Sequence, residues 1–118
     1  MDFKIHENTW WWGKCISIIE SCGNACVDIK FEENSHYCAY IEGLIVGTNV
    51  RRQGIGTELI VLCERLAYER GCSYIELLAN KEQKWLVDWY KRLGFQVIYV
   101  YEHEYRMLKK IDKEEIKK

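Results

Sequence analysis

The stretch NVRRQGIGTELI, Asn49 to Ile60, has the make-up of an anion site. Arg51 and Arg52 run into a Gly-x-Gly step at Gly54 and Gly56, and the chain then turns apolar at helical spacing. Without Cβ atoms, the glycines let the backbone approach a ligand closely. The first amides of a helix have no acceptor within it, and the positive end of the helix dipole favours a phosphate beside them. The amides concerned run from about Gln53 through Gly54, Ile55 and Gly56 to Thr57. Two familiar phosphate motifs fail on these residues. A P-loop continues Gly-Lys-Ser/Thr, but Gly56 is followed by Thr57 and Glu58. A dinucleotide fingerprint needs a further glycine where the chain has Leu59. What is left, Arg51-x-x-Gly54-x-Gly56, reads either as an anion-binding turn or as a tight strand-to-helix turn that binds nothing.

The elements around this turn must hold it. KCISII and VDIKF read as strands separated by a turn at ESCGNA. HYCAYIEGLIVG is a longer β-rich run, with a bulge or close backbone approach expected at Gly43. After the glycine step, Leu59, Leu62, Cys63 and Leu66 define a helix that Gly71 stops. SYIELLA is a strand. Leu86, Trp89, Tyr90 and Leu93 mark a second helix closed by Gly94, and FQVIYVY and HEYRMLKK are two final strands, read as antiparallel. The order β-β-β-α-β-α-β-β gives an α/β or α+β fold with a mixed sheet. The tail IDKEEIKK is charged and expected to fray.

The 118 residues suffice for one domain with a core, 1–118, and carry a net charge of −1, which argues against a general nucleic-acid binder. No run approaches the roughly 18 apolar residues that span a bilayer. The start MDFKIHENTW has no basic-then-apolar pattern of a secretory signal, so the expected location is cytoplasmic. The six cysteines form no C-x-x-C pair and read as reduced, mostly buried thiols, with no metal expected. Cys22 and Cys26, which flank a turn, leave a disulfide or half of a metal site as the alternative.

In this context the block YIEGLIVGTNVRRQGIGTELI resembles the acetyl-CoA-binding core of the GNAT superfamily of N-acetyltransferases, whose signature is Arg/Gln-x-x-Gly-x-Gly/Ala. Some thirty residues on, roughly, WLVDWYKRLGF is similar to the family's second block, a helix ending in Tyr-x-x-x-Gly-Phe (Tyr90, Gly94 and Phe95). The resemblance covers about residues 36–108. It implies an acyl-CoA N-acyltransferase fold, a mostly antiparallel sheet flanked by two main helices, with acetyl-CoA as donor and an amine as acceptor. The chain departs from the family pattern in two places. The residues before His36 read as strands and turns, without the family's usual helices, and the proline common before the signature is missing.

Acetyl transfer to an amine needs a neutral nucleophile, although an amine of pKa near 10.4 is only about one part in a thousand neutral at pH 7. It also needs a donor to the thioester oxygen and a proton for the departing thiolate. The resemblance implies coenzyme contacts at Arg51, Arg52 and the amides of Gln53–Thr57. It further implies a polarising N–H at Leu44, a pantetheine partner at Val46, and a proton donor at Tyr90, which also fits a core stripe. Asn80 is a looser match to a coenzyme- or amine-contacting asparagine. Glu42 is an acid inside an apolar run. Burial would suit it to act as base, and the other reading is an ordinary solvent-facing strand residue. Tyr40 shares its face, so both residues are expected to border a cleft, with His36 and His103 as alternative bases. Trp10, Trp11 and Trp12 read either as cover for the end of the sheet or as part of an acceptor pocket or homodimer contact. The reading is an N-acetyltransferase; the alternative is an acetyl-CoA-binding sensor or interaction module without catalysis.

Overall fold

The computed structural model describes residues 2–33 and 37–117. The chain runs β1 (Phe3–Trp10), β2 (Gly13–Glu20), β3 (Ala25–Glu32), β4 (Cys38–Val46), α1 (Ile55–Glu69), β5 (Tyr74–Asn80), α2 (Lys84–Arg92), β6 (Gln96–Val100), β7 (Glu104–Lys110) and α3 (Lys113–Lys117). One seven-stranded sheet, ordered β1-β2-β3-β4-β5-β7-β6, contains a single parallel pair, β4 with β5. This is the mixed, mostly antiparallel sheet with two main helices that the resemblance implied. The structure adds β1 ahead of the three strands read from the sequence, and a short helix where the tail was expected to fray. Strand β1 escapes a hydrophobic-pattern reading because it is an exposed edge strand, with only Phe3 packed against the core.

Every other residue of β3 faces inward: Ala25, Val27, Ile29 and Phe31 are buried and the residues between them are not. That alternation belongs to a sheet covered on one side only. Helix α1 packs on β3, β4 and β5, and α2 packs on β5. Ile55, Leu59, Ile60, Cys63 and Ala67 turn inward from α1, and Val87 and Tyr90 from α2. Each large apolar side chain so buried contributes about 1.5–3 kcal/mol. Lys109 of β7 reaches Glu64 of α1 at 2.7 Å in a largely buried ion pair, and its stem lies against Gly94, where a Cβ would meet Lys109 Cε at 3.1 Å. Among the described residues, no helix is long and apolar enough to cross a membrane.

The tryptophan run forms the β1–β2 hairpin. Trp10 pairs with Gly13 across Trp11 and Trp12, and the Trp12 carbonyl accepts the Glu33 N–H at 2.9 Å. Gly13 has φ +150°, and a Cβ there would stand 2.0 Å from the Phe31 carbonyl oxygen. At Gly23, with φ +79°, the corresponding space is open. Gly13→Ala should therefore cost roughly 2–4 kcal/mol, because β2 must leave β3, and Gly23→Ala about 1 kcal/mol, from backbone strain alone. Urea unfolding of the two variants measures the difference; equal losses would contradict the close approach.

Candidate active site

Strands β4 and β5 start together and then part. Their parallel register covers Cys38 to Ile41 against Tyr74 to Leu77, yet β4 continues to Val46 and β5 to Asn80. Each strand is still held on its outer side. Val46 pairs with Ala25 of β3, and Asn80 with Glu104 of β7. The backbone between Glu42 and Val46 therefore faces a gap in the middle of the sheet. Gly43 helps to open it. The β3–β4 register slips between Cys26 and Asp28, and Gly43 there adopts φ +61°, which is the bulge expected from the sequence.

At the far end of β4 the chain turns through Thr48–Val50 into α1. Gly54, with φ +79°, is the N-cap of α1; no side chain caps this end, and the first helical bond in the turn runs from the Glu58 N–H to the Gly54 carbonyl at 3.0 Å. The amides of Ile55, Gly56 and Thr57 precede that bond and so have no acceptor within the helix. A Cβ at Gly54 would meet nothing within 4 Å, so the space beside this N-cap is open. Arg52 and Gln53 are exposed beside it, and Arg52 itself has φ +66°. Gly56 differs from Gly54. Its Cβ would lie 3.2 Å from the Trp89 ring and 3.6 Å from Val46, so this glycine lets α1 and α2 close on each other. The sequence reading assigned both glycines to ligand approach; Gly56 also serves packing.

Arg51 folds back on the site. Its Nε donates to the Val46 carbonyl at 3.0 Å, and its guanidinium lies 5.9 Å from the centre of the Trp85 ring. Leu44 and Val46 are half-buried against the core, on the helix-covered face. Tyr90 is 5% exposed, with ring contacts to Trp89 at 5.2 Å and Phe95 at 5.7 Å. Burial pushes its phenol up to about 12, and the neighbouring Cys63 thiol acts in the same direction. Tyr90 thus occupies the core stripe of α2, beside Cys63 of α1.

Other expected residues lie apart from this face. The Asn80 carboxamide oxygen is engaged in a local turn, accepting the Glu82 N–H at 2.9 Å. His103 is exposed beside Glu102, and His36 lies outside the described residues. Of the two readings of Glu42, the solvent-facing strand residue is the one the structure has: it is exposed and carries a 2.5 Å ion pair with Lys30 on β3. The bulge follows Glu42, so that residue stays on the helix-free face while Leu44 turns to the other. Tyr40 and Glu42 do border one cleft, together with Trp12, Lys30 and Glu32. Trp10 and Trp11 are exposed rather than covering the sheet. Of the cysteines, Cys15, Cys63 and Cys72 are buried, Cys26 and Cys38 half-buried, and Cys22 exposed; all are free thiols.

Sequence reading missed Trp85, Lys30 and the pair Glu76–Arg106, 2.6 Å apart. Glu76 had the same signal as Glu42, an acid within an apolar strand.

The model of the Acetyltransferase (GNAT) family matches residues 10–95, and the chain belongs to that family. An uncharacterized N-acetyltransferase of Methanocaldococcus jannaschii is 38% identical over 73 residues, 62% of this chain and 32% of its own. A thialysine N-epsilon-acetyltransferase of Bos taurus is 37% identical over 57 residues, 48% of this chain and 34% of its own. The matched region thus spans about a third of the length of these curated relatives. In fold, the chain is similar to a GNAT family acetyltransferase from Elizabethkingia anophelis with acetyl-CoA bound, with a TM-score of 0.71, 11% identity, and 92% and 97% of the two chains covered.

Packing at Gly56 is directly testable. Gly56→Val should lower stability by roughly 1–3 kcal/mol and change the near-ultraviolet circular dichroism of the tryptophans, because Trp89 must move. An unchanged spectrum at unchanged stability would refute the contact.

Proposed function

We propose that the chain transfers the acetyl group of acetyl-CoA to a primary amine. The observation that carries this reading is the gap between β4 and β5 lying beside an uncapped α1 N-terminus with open space at Gly54. The residues fit a thioester whose long amide-containing arm ends in a diphosphate. In this assignment the amides of Ile55, Gly56 and Thr57 bind the diphosphate, aided by Arg51, Arg52 and the turn at Gln53. The edge of β4 at Val46 pairs with the arm as an added strand would, which requires Arg51 to release the Val46 carbonyl. The Leu44 N–H supports negative charge on the acetyl oxygen.

Two proton movements remain. The acceptor ammonium loses a proton before attack, and Glu42, at the edge of the gap on the helix-free face, is the nearest carboxylate in sequence to Leu44. Attack forms the C–N bond and breaks the C–S bond; the thiolate takes a proton from Tyr90, and the second proton shed by the attacking nitrogen passes to solvent, from which the phenol is restored. The raised pKa of Tyr90 has a clear sign. It keeps the phenol protonated across the neutral and mildly alkaline range, so Tyr90 holds a proton to donate and does not serve as a base there, while burial also makes it a weaker acid than a free phenol. The name of the bovine relative favours an acceptor whose amine ends an alkyl arm.

Release of coenzyme A thiol across a panel of amines tests the reading. Tyr90→Phe should lower turnover by about 100-fold with a much smaller change in acetyl-CoA affinity. Wild-type turnover should show no alkaline fall traceable to Tyr90 below about pH 10. Acetyl-CoA binding without thiol release from any amine would instead indicate a binding module.

A further inference from the structure

We infer that Arg51 selects the donor. It closes the open edge of β4 until a diphosphate draws it away, so the protein takes thioesters that carry a diphosphate and excludes the same arm without one. The inference rests on the transfer reading above and deepens it on the donor side.

The direction of the backbone at Val46 makes such a closure possible. The Gly47 N–H donates across to the Asn24 carbonyl at 2.7 Å, one residue beyond the pairing of Val46 with Ala25. In an antiparallel ladder that bond marks Val46 and Ala25 as a non-hydrogen-bonded pair, whose own N–H and C=O groups point away from each other. The Val46 carbonyl therefore looks into the gap, where β4 and β5 no longer pair. An added strand would place an N–H on it. The protein fills the position with its own donor, the Arg51 Nε at 3.0 Å.

Arg51 is held lightly in this position. Its guanidinium lies 5.9 Å from the centre of the Trp85 ring, and Trp85, at the start of α2, is 60% exposed. Trp85 stands four residues before Trp89, so the two share a face of α2, and Trp89 is the ring that meets Gly56 in the first turn of α1. Arg51, three residues before the N-cap Gly54, thus links the end of β4 to the start of α2. Among the described residues, no carboxylate forms an ion pair with it. An exposed hydrogen bond and an exposed cation–ring contact are each worth only a few-fold in an equilibrium constant.

A diphosphate at the first amides of α1 offers this unpaired cation a stronger partner than a neutral carbonyl does. Two parts of the donor then act through one residue. The diphosphate takes the guanidinium, and its departure frees the Val46 carbonyl for the amide of the arm. An arm that ends before the diphosphate must break the same contact with nothing in return. By linkage, a separate diphosphate and a separate arm each tighten the binding of the other.

Backbone amide shift titrations with S-acetylpantetheine, inorganic pyrophosphate and acetyl-CoA test this on the whole chain. Saturating pyrophosphate should tighten wild-type binding of S-acetylpantetheine about fivefold. Arg51→Ala should bind S-acetylpantetheine about fivefold more tightly with no pyrophosphate present, lose the pyrophosphate effect, and bind acetyl-CoA more weakly than the wild type. Trp85→Leu, which leaves Arg51 its charge and removes its seat, should tighten S-acetylpantetheine about twofold. A guanidinium that serves only as a phosphate contact gives another pattern. Arg51→Ala then weakens acetyl-CoA, leaves S-acetylpantetheine unchanged or undetected as in the wild type, and pyrophosphate does not affect the arm. That pattern would overturn the inference and leave the transfer reading standing. Failure of the wild type to bind acetyl-CoA would overturn the transfer reading and the inference with it.

Discussion

The site depends on one failure of pairing. Parallel neighbours in a sheet normally stay bonded along their shared length, and a strand edge left open in the interior exposes backbone groups that need partners. Here β4 and β5 are each fixed from outside, by β3 and by β7, while the backbone between them parts after Ile41 and Leu77. The bulge at Gly43 bends β4 away. The unpaired edge is thus built into the register and does not rely on a mobile loop. A ligand with its own alternating amides can supply what the missing strand would have supplied.

That gap also sorts the chemistry between the two faces of the sheet. On the helix-covered side, α1 begins with uncapped amides after the turn that follows β4, and α2 presses Trp89 against Gly56. This side is apolar and closely packed, and burial there keeps the Tyr90 phenol protonated. The other side has no helix over it among the described residues, and it is polar, aromatic and rich in carboxylates. In the proposed reaction, the donor and the acceptor meet through the gap from opposite faces. The bulge makes this possible, because it leaves Glu42 on one face and turns Leu44 to the other.

Much of this was legible in the sequence for local reasons. The glycine step, the stops at Gly71 and Gly94, and the apolar stripes of both helices follow from backbone freedom and helical period, which act over a few residues. Gly43 was readable as a break because a glycine inside a strand seldom has another purpose. What escaped depends on long-range packing. Strand β1 is set by its neighbour β2 and not by its own pattern. The exposure of Glu42 follows from the face the bulge leaves it on, and its partner Lys30 is on another strand. Gly56 looked like a ligand residue because the tryptophan that needs its space comes 33 positions later in the chain.

The central claim is that the open edge of β4 and the first amides of α1 receive the coenzyme together. Backbone amide shift mapping of the labelled protein during titration with acetyl-CoA tests this most directly. The account predicts saturating shifts at Leu44, Val46 and Ile55 to Thr57, with the β1–β2 hairpin unmoved. Shifts confined elsewhere, with those amides silent at saturation, would contradict it.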